Sequence, residues 1–206
     1  MVITYHGKES FKVQVGDTTL AFNPVSKDSK GKVSRYGADV ALSSVNHPDY
    51  NGIDEVRYGE KVPFDIQSPG EYEAKGVFIK GIGVSSKIGK DEYVNTIYTL
   101  TFDGLKLCFL GVLSEKLSAE VKEGIGETDI LFLPVSNGEV FGPRDAQATA
   151  VALEPKLIIP MNYDEKTLPL FLKEAGVQKM APVEKMTIKK KDIEGKDGEV
   201  VLLEEI

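Results

Sequence analysis

The hydrophobic pattern of this chain changes period about halfway along, and that change restricts the class of fold open to it. Through residue 110 the apolar residues fall in short alternating runs broken by turn dipeptides. Residues 11–15 and 18–22 meet across Gly16-Asp17. Residues 93–102 and 105–110 meet across Asp103-Gly104, the strongest hairpin signal present, because both turn positions tolerate positive φ. Val40, Ala41 and Leu42 form a run suited to a buried strand, and Val77, Ile79 and Gly81 alternate as in a half-buried one.

Beyond residue 110 continuous apolar runs alternate with segments of helical spacing. Leu113, Leu117 and Val121 lie four apart, which predicts a helix capped by Ser114 and stopped by Gly124. Residues 129–134 read as a strand covered on both faces, and residues 157–160 as a second. Between them an Ala-rich helix over 145–153 ends ahead of Pro155, since the residue before proline avoids helical ψ. Leu168, Phe171, Leu172 and Ala175 mark a third helix, closed by Gly176. Residues 186–193 and 199–203 are expected to form a last hairpin around Lys196-Asp197-Gly198. Sheets first, then strands alternating with helices, predict an α+β sandwich with helices on its outer faces.

Composition adds exclusions. With 206 residues, 41% of them apolar, and no linker rich in Ser or Pro, one domain over residues 1–206 is expected. No run approaches the roughly 18 apolar residues of a membrane span, and residues 1–7 lack a basic-then-apolar leader, so a cytoplasmic protein without membrane contact is expected. Lys and Arg total 25 against 32 acids, for a net charge of −7, which argues against nucleic acid as a partner. The basic run 189–191 is followed at once by Asp192 and reads as a solvated hairpin face. Cys108, the sole cysteine, excludes an internal disulfide and a multi-thiolate metal site, and its apolar neighbours give it no activating base. His6 and His47 are the only imidazoles, so any histidine chemistry must use them.

One segment carries a chemical pattern in altered form: Val45-Asn46-His47-Pro48-Asp49-Tyr50, directly after the apolar run at 40–42. It resembles the metal-binding loop of the metallo-β-lactamase superfamily, His-x-His-x-Asp-His. Two imidazoles at that spacing converge on one zinc while the Asp and last His face a second. The resemblance covers nearly the whole chain. Gly7-Lys8-Glu9-Ser10-Phe11 is similar to the family's opening Gly-His stretch, and Asn23-Pro24 to its Asp-Pro. Ser68-Pro69-Gly70-Glu71-Tyr72, Gly81-Ile82 and Asn95-Thr96-Ile97-Tyr98 resemble the ascorbate-6-phosphate lactonase-like branch. So do Leu110-Gly111-Val112-Leu113-Ser114-Glu115, Leu133-Pro134-Val135 and Ile159-Pro160-Met161-Asn162-Tyr163. This resemblance implies a four-layer αββα sandwich and a zinc-dependent hydrolase.

The departures fall where the resemblance would place metals. Its histidine positions hold Lys8, Val45, Tyr50, Ser86, Glu115 and Asn162, and its bridging aspartate position holds Val112. His47 and Asp49 are the remnant metal positions. A neutral amide is a weak ligand for zinc, and a lysine beside Asp49 pairs with it in place of a cation. For His47 a hydrogen-bonded structural role competes with ligation, for Asp49 a cap on a helix starting near Asn51, and for His6 packing at a surface or edge.

The sequence contains no Gly-x-Ser-x-Gly, phosphate-binding loop or dinucleotide fingerprint. It therefore points to a non-hydrolytic member of the fold with no catalytic residue and no cofactor. Its polar cleft, lined by Lys8, Tyr50, Ser86, Glu115, Asn162 and Tyr163, is expected to hold a small polar or anionic ligand, with Lys8 as the anion contact. Service as an assembly subunit in a homo-oligomer is the companion reading. The alternative is a hydrolase of phosphorylated or lactone-like molecules with one weakly bound divalent metal, zinc or manganese, on His47, Asp49 and Glu115.

Overall fold

The computed structural model describes residues 1–136, 141–178 and 180–206. Its strands are β1 (Val2–Tyr5), β2 (Phe11–Val15), β3 (Thr18–Phe22), β4 (Val40–Leu42), β5 (Phe64–Ile66), β6 (Gly70–Ala74) and β7 (Val77–Ile88). They continue with β8 (Asp91–Phe102), β9 (Leu105–Phe109), β10 (Ile130–Pro134), β11 (Leu157–Met161), β12 (Met186–Thr187) and β13 (Glu199–Val200). The helices are α1 (Ala119–Ile125), α2 (Pro143–Leu153) and α3 (Thr167–Glu174). One sheet has the order β12-β1-β2-β3-β4-β5 and the other β13-β11-β10-β9-β8-β7-β6.

The period of two along each strand sorts its side chains between layers. Leu107, Phe109, Ile130, Phe132, Leu157 and Ile159 meet Ile3, Phe11, Leu20, Phe22, Val40 and Leu42 between the sheets. The Phe11 and Phe132 rings meet edge to face at 4.9 Å, and Phe22 and Phe109 lie 5.0 Å apart. Their neighbours Cys108, Leu110, Leu131, Leu133 and Ile158 face the opposite way and pack with residues of α1, α2 and α3. On the far side of the first sheet the small Ala21 and Ala41 admit a single 3-10 turn, Ile53–Val56, with Ala38 and Tyr36 beside it. The expected αββα order holds, with that first outer layer reduced to one turn and a loop.

The Asp103-Gly104 hairpin forms as expected, with φ of 54° and 72° at the two turn residues and Phe102 opposite Leu105. Two other expectations are corrected. Helix α1 starts five residues beyond Ser114: Ser118 is its cap, its hydroxyl accepting from the Val121 N–H at 3.2 Å, and Gly126, not Gly124, ends it. Leu113, Leu117 and Val121 lie four apart because all three pack into the cluster against the second sheet, not because one helix carries them. Removing the cap tests this placement. Ser118→Ala should cost about 1 kcal/mol, seen as a melting point roughly 2–4 °C lower, and an unchanged melting point would return the cap to another residue.

The tail is not a hairpin. Met186 pairs with Ile3 in the first sheet, whereas Glu199 and Val200 pair in parallel with Leu157 and Ile158 in the second. The residues between them include a 3-10 turn, Lys190–Ile193, whose exposed lysines face solvent. The chain thus closes the sandwich across both sheets. Among the described residues no helix is long and apolar enough to cross a membrane.

Candidate functional site

Strands β3, β4 and β5 run parallel in one sheet, and β9, β10, β11 and β13 run parallel in the other. Their carboxyl ends carry the segments that the resemblance marks. Residues 43–51 follow β4, residues 110–114 follow β9, and Asn162 follows β11. The turn between β1 and β2 joins them, because the Asn162 backbone N–H donates to the Lys8 carbonyl at 2.6 Å.

Three of the altered positions form one apolar cluster. Val45, Tyr50 and Val112 are buried against one another, with Ile88 and Tyr93 packed at the edge. Below them the backbone is held by buried amides. Asn95 donates to the Leu110 carbonyl at 2.8 Å and accepts from the Val112 N–H at 3.0 Å. The Ser44 carbonyl accepts from the Thr96 N–H at 2.8 Å. Gly111 sits between them at φ 61°, so close that a Cβ there would lie 2.4 Å from Asn95 Oδ1 and 2.6 Å from Ser44 Cβ.

His47 is half-buried and accepts the Asp49 backbone N–H on Nδ1 at 3.2 Å. A neutral imidazole that accepts at Nδ1 carries its proton on Nε2, so neither nitrogen offers a lone pair without breaking that bond. Its ring lies against Tyr50 at 5.8 Å and edge-on to Tyr93 at 6.0 Å. Asp49 is not a helix cap. The short turn begins after Gly52 with no side-chain cap, and the Asp49 carboxylate instead meets Lys8 Nζ at 2.5 Å and accepts from the Ser29 hydroxyl. Burial pushes its carboxyl up, but the Lys8 ammonium and Ser29 hydroxyl together hold it below the usual carboxylate range.

The other expected cleft residues divide. Tyr50 and Asn162 line a cleft of about 340 Å³ together with Lys87, Ile88, Val112, Ser114 and Phe141. Lys8 does not serve as a free anion contact, since Asp49 neutralises it. The Ser86 hydroxyl donates to the Val112 carbonyl and pins β7 onto the floor instead of facing a ligand. Glu115 is exposed, outside the residues that line the cleft. Tyr163 turns away, its hydroxyl donating to the Leu203 carbonyl at 3.3 Å. His6 is also corrected: β1 lies inside its sheet, and the imidazole is buried and stacked on Tyr36 at 4.9 Å. Burial, helped by Lys12 and Lys32, lowers its pKa to about 4.

Sequence reasoning missed Glu9. It is 0% exposed, accepting from Asn162 Nδ2 at 3.0 Å and from Asn23 Nδ2 at 3.1 Å. Burial pushes its carboxyl up to about 8 despite the two amides. The available signal was an acid beside Lys8 at the head of a strand whose next residues are Ser10 and Phe11. Its burial follows from where Asn23 and Asn162 arrive, 14 and 153 residues further along.

The donor set does not fit the metal centre that the resemblance implies. Val45 and Val112 carry no donor atom, both Asp49 oxygens and His47 Nδ1 are engaged, and Asn162 points its amide nitrogen at Glu9. Among the described residues no group of three or more His, Cys, Asp or Glu is arranged to hold a metal ion.

Two facing mixed sheets, outer helices and a site at the strand carboxyl ends define the metallo-β-lactamase class of fold. A family model described as the β-lactamase superfamily domain matches residues 2–162, and the chain belongs to that family. Among similar proteins is a UPF0173 metal-dependent hydrolase of Lysinibacillus sphaericus, 24% identical over 197 residues, covering 80% of this chain and 86% of the relative. A candidate zinc-dependent hydrolase of the metallo-β-lactamase superfamily from Thermotoga maritima is 28% identical, with a TM-score of 0.78 over 98% of this chain and 97% of that one. Igni18, a metallo hydrolase of Ignicoccus hospitalis, shares the fold at 21% identity and a TM-score of 0.61, over 91% of this chain and 98% of its own.

Proposed function

We propose that this chain is a non-hydrolytic member of the metallo-β-lactamase fold that binds a small polar or anionic molecule in the cleft beside Tyr50 and Asn162. The apolar cluster of Val45, Tyr50 and Val112 carries this reading, because it fills with side chains the space where coordinating groups would converge. A neutral cluster of that kind supplies neither a Lewis acid nor an activated water. The cleft keeps the elements of a binding site: apolar walls from Ile88, Val112 and Phe141, the hydroxyls of Tyr50 and Ser114, and the Lys87 ammonium. Burial, reinforced by the Glu9 and Asp49 carboxylates, pushes the Tyr50 phenol far above its ordinary pKa, so it acts as a hydrogen-bond donor. Among the described residues the buried Ser114 hydroxyl has no hydrogen-bond partner, which leaves it to gain from a ligand oxygen.

The names of the curated relatives favour a second reading, a hydrolase of phosphorylated or lactone-like molecules with a reduced single-metal site on His47 and Asp49. One measurement separates the two. Protein purified without chelator or polyhistidine tag is expected to contain far less than one equivalent of zinc, manganese or iron, and to leave p-nitrophenyl phosphate and a simple lactone unhydrolysed when zinc or manganese is added. Near-stoichiometric metal together with chelator-sensitive turnover would establish the hydrolase instead.

A further inference from the structure

A metal centre joins the loops that supply its ligands, and that joining contributes to the stability of the folded chain. Here side chains join the corresponding loops, beside backbone hydrogen bonds such as Ser26 N–H to the Pro48 carbonyl and Asn162 N–H to the Lys8 carbonyl. The Lys8 ammonium reaches from the turn after β1 to Asp49 in the loop after β4, and Ser29, from the long loop after β3, donates to the same carboxylate. Ser29 is itself fixed by accepting the Gly31 N–H at 2.9 Å. Beside this pair, Glu9 gathers Asn23 from the end of β3 and Asn162 from the end of β11, and Asn23 also donates to Ser44 Oγ at 2.9 Å.

Backbone geometry points to the same residues. Among the described residues six non-glycine residues have positive φ. Lys75 and Asp103 lie in hairpin turns and Glu154 ends α2, which are ordinary places for that conformation. The other three are Lys8, Asn23 and Asn162, at 51°, 42° and 54°. A left-handed backbone at an L-residue persists where the surroundings over-determine it. All three belong to the two linked clusters, and their geometry aims the side chains at Asp49 and Glu9.

We infer that Lys8–Asp49 and Glu9–Asn23–Asn162 form a metal-free clamp, with the Lys8 ammonium as the resident cation, that closes the site by cross-linking the loops after β1, β3, β4 and β11. The inference rests on the donor geometry behind the non-hydrolytic reading but concerns what holds the site shut, so it is tested without substrate.

The test uses the whole protein and two readouts, melting temperature and amide hydrogen exchange. EDTA and equimolar zinc sulfate are each expected to leave wild-type melting within about 1 °C, because a ligand that binds the folded state must raise it. Lys8→Met and Asp49→Asn are each expected to lower it by roughly 2–4 °C and to speed exchange at residues 26–31 and 45–51 about tenfold or more. The double variant should be no worse than either single one, as expected for two halves of one interaction. Lys8→Arg should restore most of the loss. A fall in melting on chelation, a rise with zinc, unchanged exchange in the single variants, or additive effects would each overturn the clamp. The wild-type arms decide even where a variant fails to fold. A clamp that fails while the protein still carries no metal would leave the non-hydrolytic reading standing.

Discussion

Gly111→Ala is expected to lower the melting temperature by roughly 10 °C or to prevent folding. Two physical effects combine at this position. The residue has φ 61°, where a side chain costs about 1–2 kcal/mol. A methyl group would also overlap Asn95 Oδ1 at 2.4 Å and Ser44 Cβ at 2.6 Å, and neither neighbour can retreat. Asn95 is held at both ends of its amide by Leu110 and Val112, and Ser44 by Asn23 and Thr96. Overpacking of this kind adds about 1–3 kcal/mol. Calorimetry on the purified variant checks the result, and a loss below 2 °C would show that the floor of the cleft is looser than its hydrogen bonds imply.

The second large effect belongs to Glu9. Glu9→Ala removes one of the two acceptors of the buried Asn23 amide, which keeps Ser44 Oγ, and the acceptor of the half-buried Asn162 amide. At about 1–3 kcal/mol for an unsatisfied buried group, a loss of roughly 4–10 °C is expected. Glu9→Gln behaves differently. The Ser44 N–H donates to Asn23 Oδ1 at 2.7 Å, which fixes the Asn23 amide with its nitrogen toward residue 9. The glutamine oxygen then faces Asn23, and its nitrogen faces Asn162, whose amide reverses to accept it. The fold survives, but its pH response changes.

A carboxyl raised from 4.5 to about 8 binds its proton more tightly in the folded chain, so it contributes stability at low pH that is lost as pH rises through that interval. His6, lowered from 6.5 to about 4, works oppositely and withdraws stability as pH falls below 6.5. Between pH 6.5 and 8.5 the Glu9 effect acts without opposition from His6. Wild-type melting should therefore fall by several degrees across that interval, while the Glu9→Gln protein stays level. Equal slopes for the two proteins would show that Glu9 is already ionised at neutral pH.

The parts of the fold that were legible in the sequence depend on local geometry. Asp103-Gly104 specifies its turn by backbone conformation alone, and the alternation in β7 and the continuous apolar runs of β10 and β11 report how many faces are covered. At the start of α1 the local signal was overridden by burial. Ser114 has the residue type of a cap, but it is itself buried beside Leu113, and α1 starts only after the exposed Ser118. The tail lost its hairpin because β1 and β11 each offered an edge, and pairing with both closes the sandwich.

Motif positions showed that Val45, Tyr50, Val112 and Asn162 stand where coordinating groups are expected, and that Lys8 and Asp49 carry complementary charges. That much the sequence determined by itself, since residue identity decides which atoms can donate an electron pair. Only the tertiary structure decided what replaces the missing groups. Whether Lys8 faces a ligand or Asp49, whether Glu9 is solvated or buried, and whether Tyr163 faces the cleft or Leu203 depend on segments far apart in the chain. Hydrogen bonds and burial are properties of neighbours in space, and these neighbours meet only when the two sheets close on each other.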